Sequence, residues 1–477
     1  MPTFLVNILR SVMAAWTAIV LLFAGGAPVT VMDFAGDKAI QAAAREYVFD
    51  DVRGDGRLLF GGYNYNTAYS DAEHVGWVKE AGLDFLVSSA NAAFLDECER
   101  QGVGVIAKGY NKSSPWLNFT QANLDNWQTL TADNYKSHPA LWGDSIVDEP
   151  VYDSLERVGQ AVAHYNGLGL NRLALVNING FSAGGDQLAP AQMRSFYKLL
   201  PWSDYNHDHI NQYTGYVAAY AQTVDSDIFS HTLYPMQQPG TPNGWSGCWL
   251  RQLDIHAELA RETGRDMWVI TQAAGYTEYR EGIESARYCD TVESQLQQDY
   301  AALAFGARGI IYACYQGGWW ETNSHMINAA GQRTDTYYAV QAANEELAPI
   351  KDIWADYQWQ GAYLLNHALV DGLRGMNGLP GVLFDLRNGL SKKARPKLSS
   401  KDGLLVGCFQ TKECGGKAYV VVNMMDLLDE KTATCTVTFP QSYTVTVYGG
   451  SEVKTYTSGG KIELTLAPGD GRFITVK

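Results

Sequence analysis

Residues 140–150, Ala-Leu-Trp-Gly-Asp-Ser-Ile-Val-Asp-Glu-Pro, decide the fold because they contain one complete unit of the pattern that fills most of the chain. An apolar run, Ala140–Val147, is followed by two acidic residues, a proline and a longer stretch with helical spacing. An apolar run with few polar residues predicts a strand that is buried on both faces. The proline predicts that the chain leaves the strand there and enters a helix.

The same unit occurs eight times between residues 57 and 350. The apolar runs are Leu58–Tyr65, Leu83–Ser89, Val103–Tyr110, Ala140–Val147, Arg172–Ile178, Ile228–Tyr234, Met267–Thr271 and Gly309–Tyr315. Strands that alternate with helices predict a parallel sheet covered by helices, and eight repeats predict a closed (β/α)8 TIM barrel. A doubly wound open sheet is the alternative, but no Gly-x-Gly-x-x-Gly motif follows the first strand.

The sequence divides into four parts around this repeat. Residues 1–32 combine a charged start, an apolar stretch and small residues, which is typical of a signal peptide or N-terminal hydrophobic segment. We assign the barrel to 50–350, a connecting segment to 351–402, and a β-sandwich to 403–477, where short alternating runs are separated by turn residues. The predicted location is secreted, cell-surface or periplasmic, without stable membrane insertion after signal removal.

The composition favours a carbohydrate partner over a nucleic acid. A formal net charge of −15 repels phosphate backbones, so we expect no nucleic acid partner. The 28 tyrosines and 13 tryptophans are residues that stack on sugar rings. The sequence contains no Cys-x-x-Cys motif and no Cys/His cluster, so we expect no metal site. We also expect no cofactor. One disulfide bond could form among Cys408, Cys414 and Cys435. The sequence does not indicate the oligomeric state.

The carboxyl end of strand 4 carries the sharpest chemical signal. Glu149 could act as a general acid that protonates a glycosidic oxygen, and the neighbouring Asp148 would disfavour a second negative charge. The structural alternative is that Asp148 caps a helix that starts at Pro150. Strict side-chain alternation would place four residues on one side of the strand: Trp142, Asp144, Ile146 and Asp148. We expect Asp144 to lie deeper and to be structural.

The ends of the other strands supply amides, phenols and rings that suit a sugar ligand. The predicted substrate-binding residues are Tyr63, Asn64, Asn177, His231, Tyr234, Gln272, Trp319 and Trp320. Amide and hydroxyl groups would hydrogen-bond sugar hydroxyls, and the indoles would stack on a pyranose. For His231, a buried structural role is the competing interpretation. The predicted partner is an oligo- or polysaccharide.

The segment His138-Pro-Ala-Leu-Trp-Gly-Asp-Ser-Ile-Val-Asp-Glu-Pro150 resembles the strand-4 signature of clan A glycoside hydrolases, particularly β-galactosidase-like barrels. Ser230–Pro235, Met267–Ala273 and Ala307–Tyr312 are similar to later strands of that clan, and the resemblance spans residues 57–350. It implies a glycosidase in which Glu149 stands at the acid/base position. The chain departs from the pattern at Gln272, where a retaining enzyme of the clan carries its nucleophilic glutamate.

Three explanations of Gln272 remain open. The enzyme inverts, with Glu321 or Glu278 activating water; the substrate supplies its own nucleophile, such as an acetamido group; or the protein binds glycans without cleaving them. A carboxyl separation of about 5 Å would indicate retention, and one of roughly 6.5–9.5 Å inversion. We predict a glycosidase for a neutral glycan with Glu149, Asp148 and Glu321 as catalytic candidates. The alternative is a non-hydrolytic carbohydrate-binding protein.

Overall fold

Eight parallel strands form a closed barrel in the computed structural model. The first seven are β1 (Leu59–Tyr63), β2 (Phe85–Ser88), β3 (Gly104–Lys108), β4 (Leu141–Asp148), β5 (Leu173–Ile178), β6 (Ile228–Thr232) and β7 (Asp266–Gln272). An antiparallel hairpin of β8 (Tyr276–Arg280) and β9 (Ile283–Arg287) follows, and β10 (Gly309–Ala313) closes the barrel between β7 and β1. Each barrel strand overlaps one predicted apolar run. The TIM-barrel prediction is confirmed, and the doubly wound alternative is wrong.

The structure describes thirteen stretches of the chain: 56–108, 137–181, 183, 185–190, 202–232, 234–236, 245–280, 283–287, 289–318, 322–366, 396–413, 416–450 and 452–477. The predicted signal peptide, Trp319, Trp320 and Glu321 lie outside these residues, as does the side chain of Glu278.

Helices connect the strands and cover the barrel. They are α1 (Ala72–Glu80), α2 (Ala92–Gln101), α3 (Leu155–Gly167), α4 (Gly185–Leu188), α5 (Trp202–Thr223), α6 (Trp245–Thr263), α7 (Val292–Ala304) and α8 (Asp335–Lys351), with short 3-10 turns at Tyr152–Ser154, Thr322–Ser324, Trp354–Asp356 and Leu427–Asp429. Side-chain caps fix several starts: Asp71 accepts from two backbone N–H groups of α1, and Thr291 forms a capping box with Ser294. Within the described residues, no helix combines the length and apolarity needed to cross a membrane.

The barrel interior is filled by aromatic rings that lie over glycines of neighbouring strands. The pairs are Gly61 with Phe85, Gly104 with Trp142, and Gly309 with Trp268. A Cβ atom on Gly104 would lie 2.0 Å from the Trp142 ring, so no larger residue fits there. Alternating small and large residues let an eight-stranded barrel close around a packed core. The barrel interior is therefore a packed core and not an open channel.

A buried hydrogen-bond chain joins α7, β10 and α8 beside the barrel. The Tyr312 Oη atom lies 2.9 Å from Asp299 Oδ2 and 2.7 Å from Asn344 Oδ1. Asn344 donates its Nδ2–H to the Ala81 carbonyl, so its oxygen must accept from Tyr312. The phenol has one hydrogen. Both contacts are hydrogen bonds only if Asp299 is protonated and donates to Tyr312. Burial agrees with this assignment, because it raises the pKa of Asp299 to about 8.

We expect the Asp299→Asn variant to keep this chain intact, because the introduced amide N–H replaces the carboxyl proton. A folded-state pKa raised from 3.8 to about 8 contributes stability that is full below pH 4 and is lost as pH rises toward 8. The free energy of unfolding of the wild type should therefore fall relative to the variant by about 1.4 kcal/mol per pH unit over that range. Urea unfolding of both proteins at several pH values measures this. Equal slopes, with the variant destabilised at pH 7, would mean that Asp299 is ionised.

Two antiparallel sheets follow the barrel and form a sandwich. Their strands are β11 (Tyr357–Leu365), β12 (Lys397–Ser400), β13 (Leu404–Thr411), β14 (Lys417–Asn423), β15 (Ala433–Phe439), β16 (Val445–Tyr448), β17 (Lys454–Tyr456), β18 (Gly460–Leu466) and β19 (Gly471–Val476). The larger sheet has the order β11-β13-β14-β19-β16-β17, and the smaller has the order β12-β15-β18. Side chains of both sheets, including Val421 and Val437, share one hydrophobic core.

The described residues bear on two sequence predictions for this region. The segment 351–402 is not only a connection, because β11 and β12 lie within it and β11 is an edge strand of the larger sheet. Cys408 and Cys435 are buried in the sandwich core, and Cys414 lies outside the described residues, so the predicted disulfide stays a prediction.

Helix α7 lies between the barrel and the sandwich and is buried on all sides from Ser294 to Ala304. Gln297 donates to the carbonyl of Met425 at the end of β14, and the Trp359 indole of β11 donates to the Ala304 carbonyl. Gly407 of β13 packs directly on α7, where a Cβ atom would lie 2.2 Å from the Ala304 oxygen. The sandwich therefore covers one side of the barrel and leaves the carboxyl ends of the barrel strands to the connecting loops.

Candidate active site

The chain turns sharply at the end of β4, and the backbone around it fixes the turn. Glu149 has a φ of 51°, in the left-handed region that costs a non-glycine residue roughly 1 kcal/mol. Its N–H donates to the Asn177 carbonyl at 2.7 Å, and the Pro150 carbonyl accepts from the Asn179 amide at 2.8 Å. Strained backbone persists where its surroundings determine it. The turn presents Asp148 and Glu149 together, and both are exposed.

Asp148 is oriented by two side chains from the barrel interior. Tyr63 Oη donates to its Oδ2 atom at 3.1 Å, and Asn177 Nδ2 donates to its Oδ1 atom at 2.9 Å. Each carboxylate oxygen therefore has one fixed donor while the residue stays exposed. The helix-cap interpretation of Asp148 is wrong, because the 3-10 turn Tyr152–Ser154 precedes α3 and begins after Val151.

Two register irregularities in β4 change which side chains face the barrel interior. Trp142 is an extra residue relative to β3, and Ile146 is an extra residue relative to β5. Asp144 consequently faces the helices: it accepts from Tyr165 of α3 at 2.6 Å and is fully buried. The prediction that Asp144 and Asp148 share one side is wrong, because each extra residue reverses the alternation. The expectation that Asp144 lies deeper agrees with its burial.

Asn177 supports Asp148 instead of offering its amide to a ligand. Its Nδ2 group also donates to Thr232 Oγ1 at 2.9 Å, and its Oδ1 atom accepts from Ser230 Oγ at 3.1 Å. Both N–H bonds are used, and the residue is 3% exposed. We expected Asn177 to bind substrate. In the structure its amide holds Asp148 and Thr232, so the predicted contact with a substrate has no support.

Lys108, at the end of β3, is a neighbour of the acidic turn that the sequence analysis did not select. Its Nζ atom lies 3.3 Å from Asn64 Oδ1 and 4.2 Å from the centre of the Tyr63 ring. Burial lowers the pKa of Lys108, and the charges of Asp148 and Glu149 oppose that shift. The sequence feature that could have indicated Lys108 is its position at the end of a predicted strand. Tyr63 and Asn64 thus lie at the carboxyl end of β1, where Tyr63 donates to Asp148 and Asn64 accepts from Lys108.

Gln272 lies at the end of β7 but has no free amide group. Its Oε1 atom accepts from the Met236 N–H at 3.2 Å, and its Nε2 group donates to the Ala274 carbonyl at 3.1 Å. The side chain is fully buried. Gln272 joins the segments that follow β6 and β7. The structure therefore does not support the predicted contact between its amide and a sugar.

Side chains along β6 alternate between the two faces of the sheet. Ile228, Ser230 and Thr232 point into the barrel, so His231 points outward to the helices. It is fully buried against α6, with its ring stacked on His256 at a centroid distance of 3.9 Å. Gln252 donates to its Nδ1 atom at 2.7 Å. Its burial away from the mouth agrees with the competing structural interpretation and gives no support to the predicted contact with substrate.

Tyr234, just after β6, packs against the interior cluster of the barrel and is half-buried. Burial, together with the charges of Asp148 and Glu149, raises the pKa of its phenol, so the hydroxyl keeps its proton.

Of the described residues that end the barrel strands, Asp148 and Glu149 are the carboxylates. A cavity of about 500 Å³ begins next to the turn, lined by Val151, Asp153, Ser154, Glu156, Arg157 and Gln160. It contains none of the predicted site residues.

Comparison with known proteins finds similarity among solved structures alone. No protein-family model matches the chain, and no curated protein matches it. Among solved structures, it is similar to a GH30 endoxylanase from Clostridium papyrosolvens (10% identity, TM-score 0.37, 92% of this chain and 98% of that one). It is also similar to a GH1 beta-glucosidase from Exiguobacterium antarcticum (11%, 0.37, 61% and 98%).

A non-glycosidase is among the similar structures as well: a truncated 3-deoxy-D-arabino-heptulosonate 7-phosphate synthase from Thermotoga maritima (10% identity, TM-score 0.32, 63% and 88%). Likeness at this level carries no argument about the fold or the chemistry of this chain. Functional conclusions therefore rest on the side chains of this chain.

Proposed function

We propose that the protein is a glycoside hydrolase that cleaves a neutral glycan, with Glu149 as the general acid. The observation that carries the proposal is the acidic turn, in which an exposed Glu149 follows an Asp148 held by Tyr63 and Asn177. Enzymes that hydrolyse glycosides need one carboxyl group to protonate the leaving oxygen and a second to stabilise or attack the sugar. The turn offers two carboxyl groups in unlike surroundings.

The surroundings assign different roles to the two carboxyl groups. Asp148 accepts a hydrogen bond from Tyr63 on one oxygen and from Asn177 on the other, so its carboxylate is fixed in orientation. Glu149 follows it in the same turn and is exposed, so it is the group that we assign to protonating the leaving oxygen. Lys108 and Tyr234 lie near the pair and carry donor groups that can bind sugar hydroxyls.

The second candidate function is glycan binding without cleavage. The engaged amide of Gln272 favours it, because β7 then presents no carboxylate to a sugar at this position. Both candidate functions place the glycan at the same mouth of the barrel, so binding alone does not distinguish them. Detection of released sugar does.

The deciding experiment combines product detection with binding. The full-length protein is incubated with aryl glycosides and oligosaccharides of neutral sugars, and released sugar is measured by chromatography beside calorimetric binding. The matched control is the Asp148→Asn/Glu149→Gln double variant, which removes both carboxylates at constant size. We expect release by the wild type and none by the variant. Binding without product after long incubation would favour the second candidate, and release that persists in the variant would contradict both assignments.

A further inference from the structure

The second reactive group of the proposed hydrolase is the question that the site leaves open. We propose that the substrate supplies it: the protein acts on glycosides of 2-acetamido sugars, and the acetamido oxygen is the nucleophile. This inference rests on the proposed function and names its substrate class. Three independent features of the site lead to it.

The first feature is the state of β7. A carboxylate nucleophile at the end of this strand would need an ionisable side chain that reaches the mouth. Gln272 is an amide, is fully buried, and uses its Oε1 and Nε2 atoms to join Met236 and Ala274. Neither atom can turn to a sugar without leaving a buried partner unsatisfied, which costs roughly 1–3 kcal/mol.

The second feature is that Asp148 and Glu149 are consecutive. Their Cα atoms are therefore about 3.8 Å apart, and both side chains leave one end of one strand. An acid and a nucleophile that act by double displacement must flank the sugar from opposite faces. Two carboxyl groups that share a single turn are therefore less suited to double displacement than a pair from two different strands. They suit a reaction in which attack on the anomeric carbon comes from the substrate itself.

The third feature is the way in which Asp148 is held. Tyr63 and Asn177 each donate to a different oxygen, so the carboxylate is fixed in orientation and remains exposed. Each carboxylate oxygen can accept a further hydrogen bond. An acetamido N–H is a suitable donor, and a carboxylate that accepts from it increases electron density on the acetamido oxygen. Asp148 is then a catalytic residue that orients the nucleophile.

The reaction balances with these groups alone. The acetamido oxygen forms a bond to the anomeric carbon as the bond from that carbon to the leaving oxygen breaks, and the Glu149 proton passes to the leaving oxygen. The product is a bicyclic oxazolinium ion whose N–H is held by Asp148. Water then attacks the anomeric carbon and gives its proton to the Glu149 carboxylate. The ring opens, and the acetamido group is regenerated with retained configuration.

The test uses aryl glycosides that differ only at carbon 2. The 4-nitrophenyl glycosides of 2-acetamido-2-deoxyglucose and 2-acetamido-2-deoxygalactose are compared with the matching 2-hydroxy glycosides. The acetamido series is extended to mono-, di- and trifluoroacetamido groups, whose oxygens are progressively poorer nucleophiles. We expect kcat/KM to be at least about 100-fold higher for acetamido than for hydroxy glycosides, and to fall about tenfold or more across the fluorinated series.

An Asp148→Asn variant supplies the second readout, with Asp153→Asn as the matched control at an exposed aspartate of the next turn. The loss of kcat should be confined to Asp148→Asn. Efficient turnover of 2-hydroxy glycosides, or no response to fluorination, would overturn the inference and leave the proposed hydrolase standing. Absence of turnover on every glycoside would instead contradict the proposed function.

Discussion

Glu149→Gln is expected to slow the hydrolysis of glycosides with poor leaving groups by about 10²–10⁴-fold, the usual contribution of a general acid. An amide keeps the size of the side chain and its place after Asp148 but cannot release a proton at neutral pH. A sugar alcohol leaves poorly without that proton. A dinitrophenolate leaves well on its own, so dinitrophenyl glycosides should lose much less activity than oligosaccharides.

The measurement is a plot of kcat/KM against leaving-group pKa for wild type and variant. Its slope should be much steeper in the variant, because the variant relies on the intrinsic ability of the group to leave. Glu156→Gln is the matched control, since Glu156 is exposed in the first turn of α3. It should behave as wild type. A uniform loss across all leaving groups would show that Glu149 binds or positions the substrate and does not donate the proton.

Acidification is expected to destabilise the protein through the buried pair of His231 and His256. Gln252 Nε2 can only donate, so His231 Nδ1 is an acceptor, and its protonated Nε2 lacks a partner among the described residues. Tyr213 donates to the Asn179 carbonyl, so His256 Nε2 donates to Tyr213, and His256 Nδ1 is unprotonated and unpartnered. Both rings are therefore neutral in the folded protein.

Burial lowers the pKa of His231 to about 3, and burial together with His231 lowers the pKa of His256. The unfolded chain protonates both rings below about pH 6.5, while the folded protein does not. Stability is thus fully present above pH 6.5 and is lost as pH falls toward 3. The expected loss is about 1.4 kcal/mol per pH unit for each histidine.

Urea unfolding at pH 7, 6 and 5 measures this loss, and His256→Phe isolates the contribution of the pair. Phenylalanine keeps a ring stacked on His231 and removes one protonation site. The difference in unfolding free energy between pH 7 and 5 should be smaller in the variant by about 1.4 kcal/mol per pH unit below 6.5. An identical pH dependence in both proteins would show that His256 is already protonated in the folded state, or that it is hydrated.

The barrel was predictable from sequence because each strand is buried on both faces and therefore forms a continuous apolar run. The acidic turn was predictable because it ends such a run. The direction of Asp144 was not, since the extra residues Trp142 and Ile146 are visible only in the pairing of β4 with its neighbours. Strand β11 was missed because α8 leads into it through a short 3-10 turn without a proline or glycine boundary.

The roles of the predicted ligands depended on partners that lie far away in sequence. Gln272 and Asn177 lie at strand ends, where residues that bind a sugar are expected. The Gln272 amide is instead hydrogen-bonded to Met236. The Asn177 amide is hydrogen-bonded to Asp148 and Thr232. The burial of His231 became clear only once the structure showed which face of β6 points into the barrel. Lys108 was missed because a single lysine at a strand end carries no motif.

The most direct test of the central claim is a crystal structure of the Glu149→Gln variant with a bound oligosaccharide. Slow turnover should preserve the substrate in the crystal. We predict that the glycosidic oxygen lies within hydrogen-bonding distance, about 2.6–3.2 Å, of the side chain at position 149. The sugar on the reducing side of that bond should extend out of the mouth, and Asp148 should contact the ring that is cleaved. An oligosaccharide that binds away from the acidic turn, with no contact to position 148 or 149, would contradict the account.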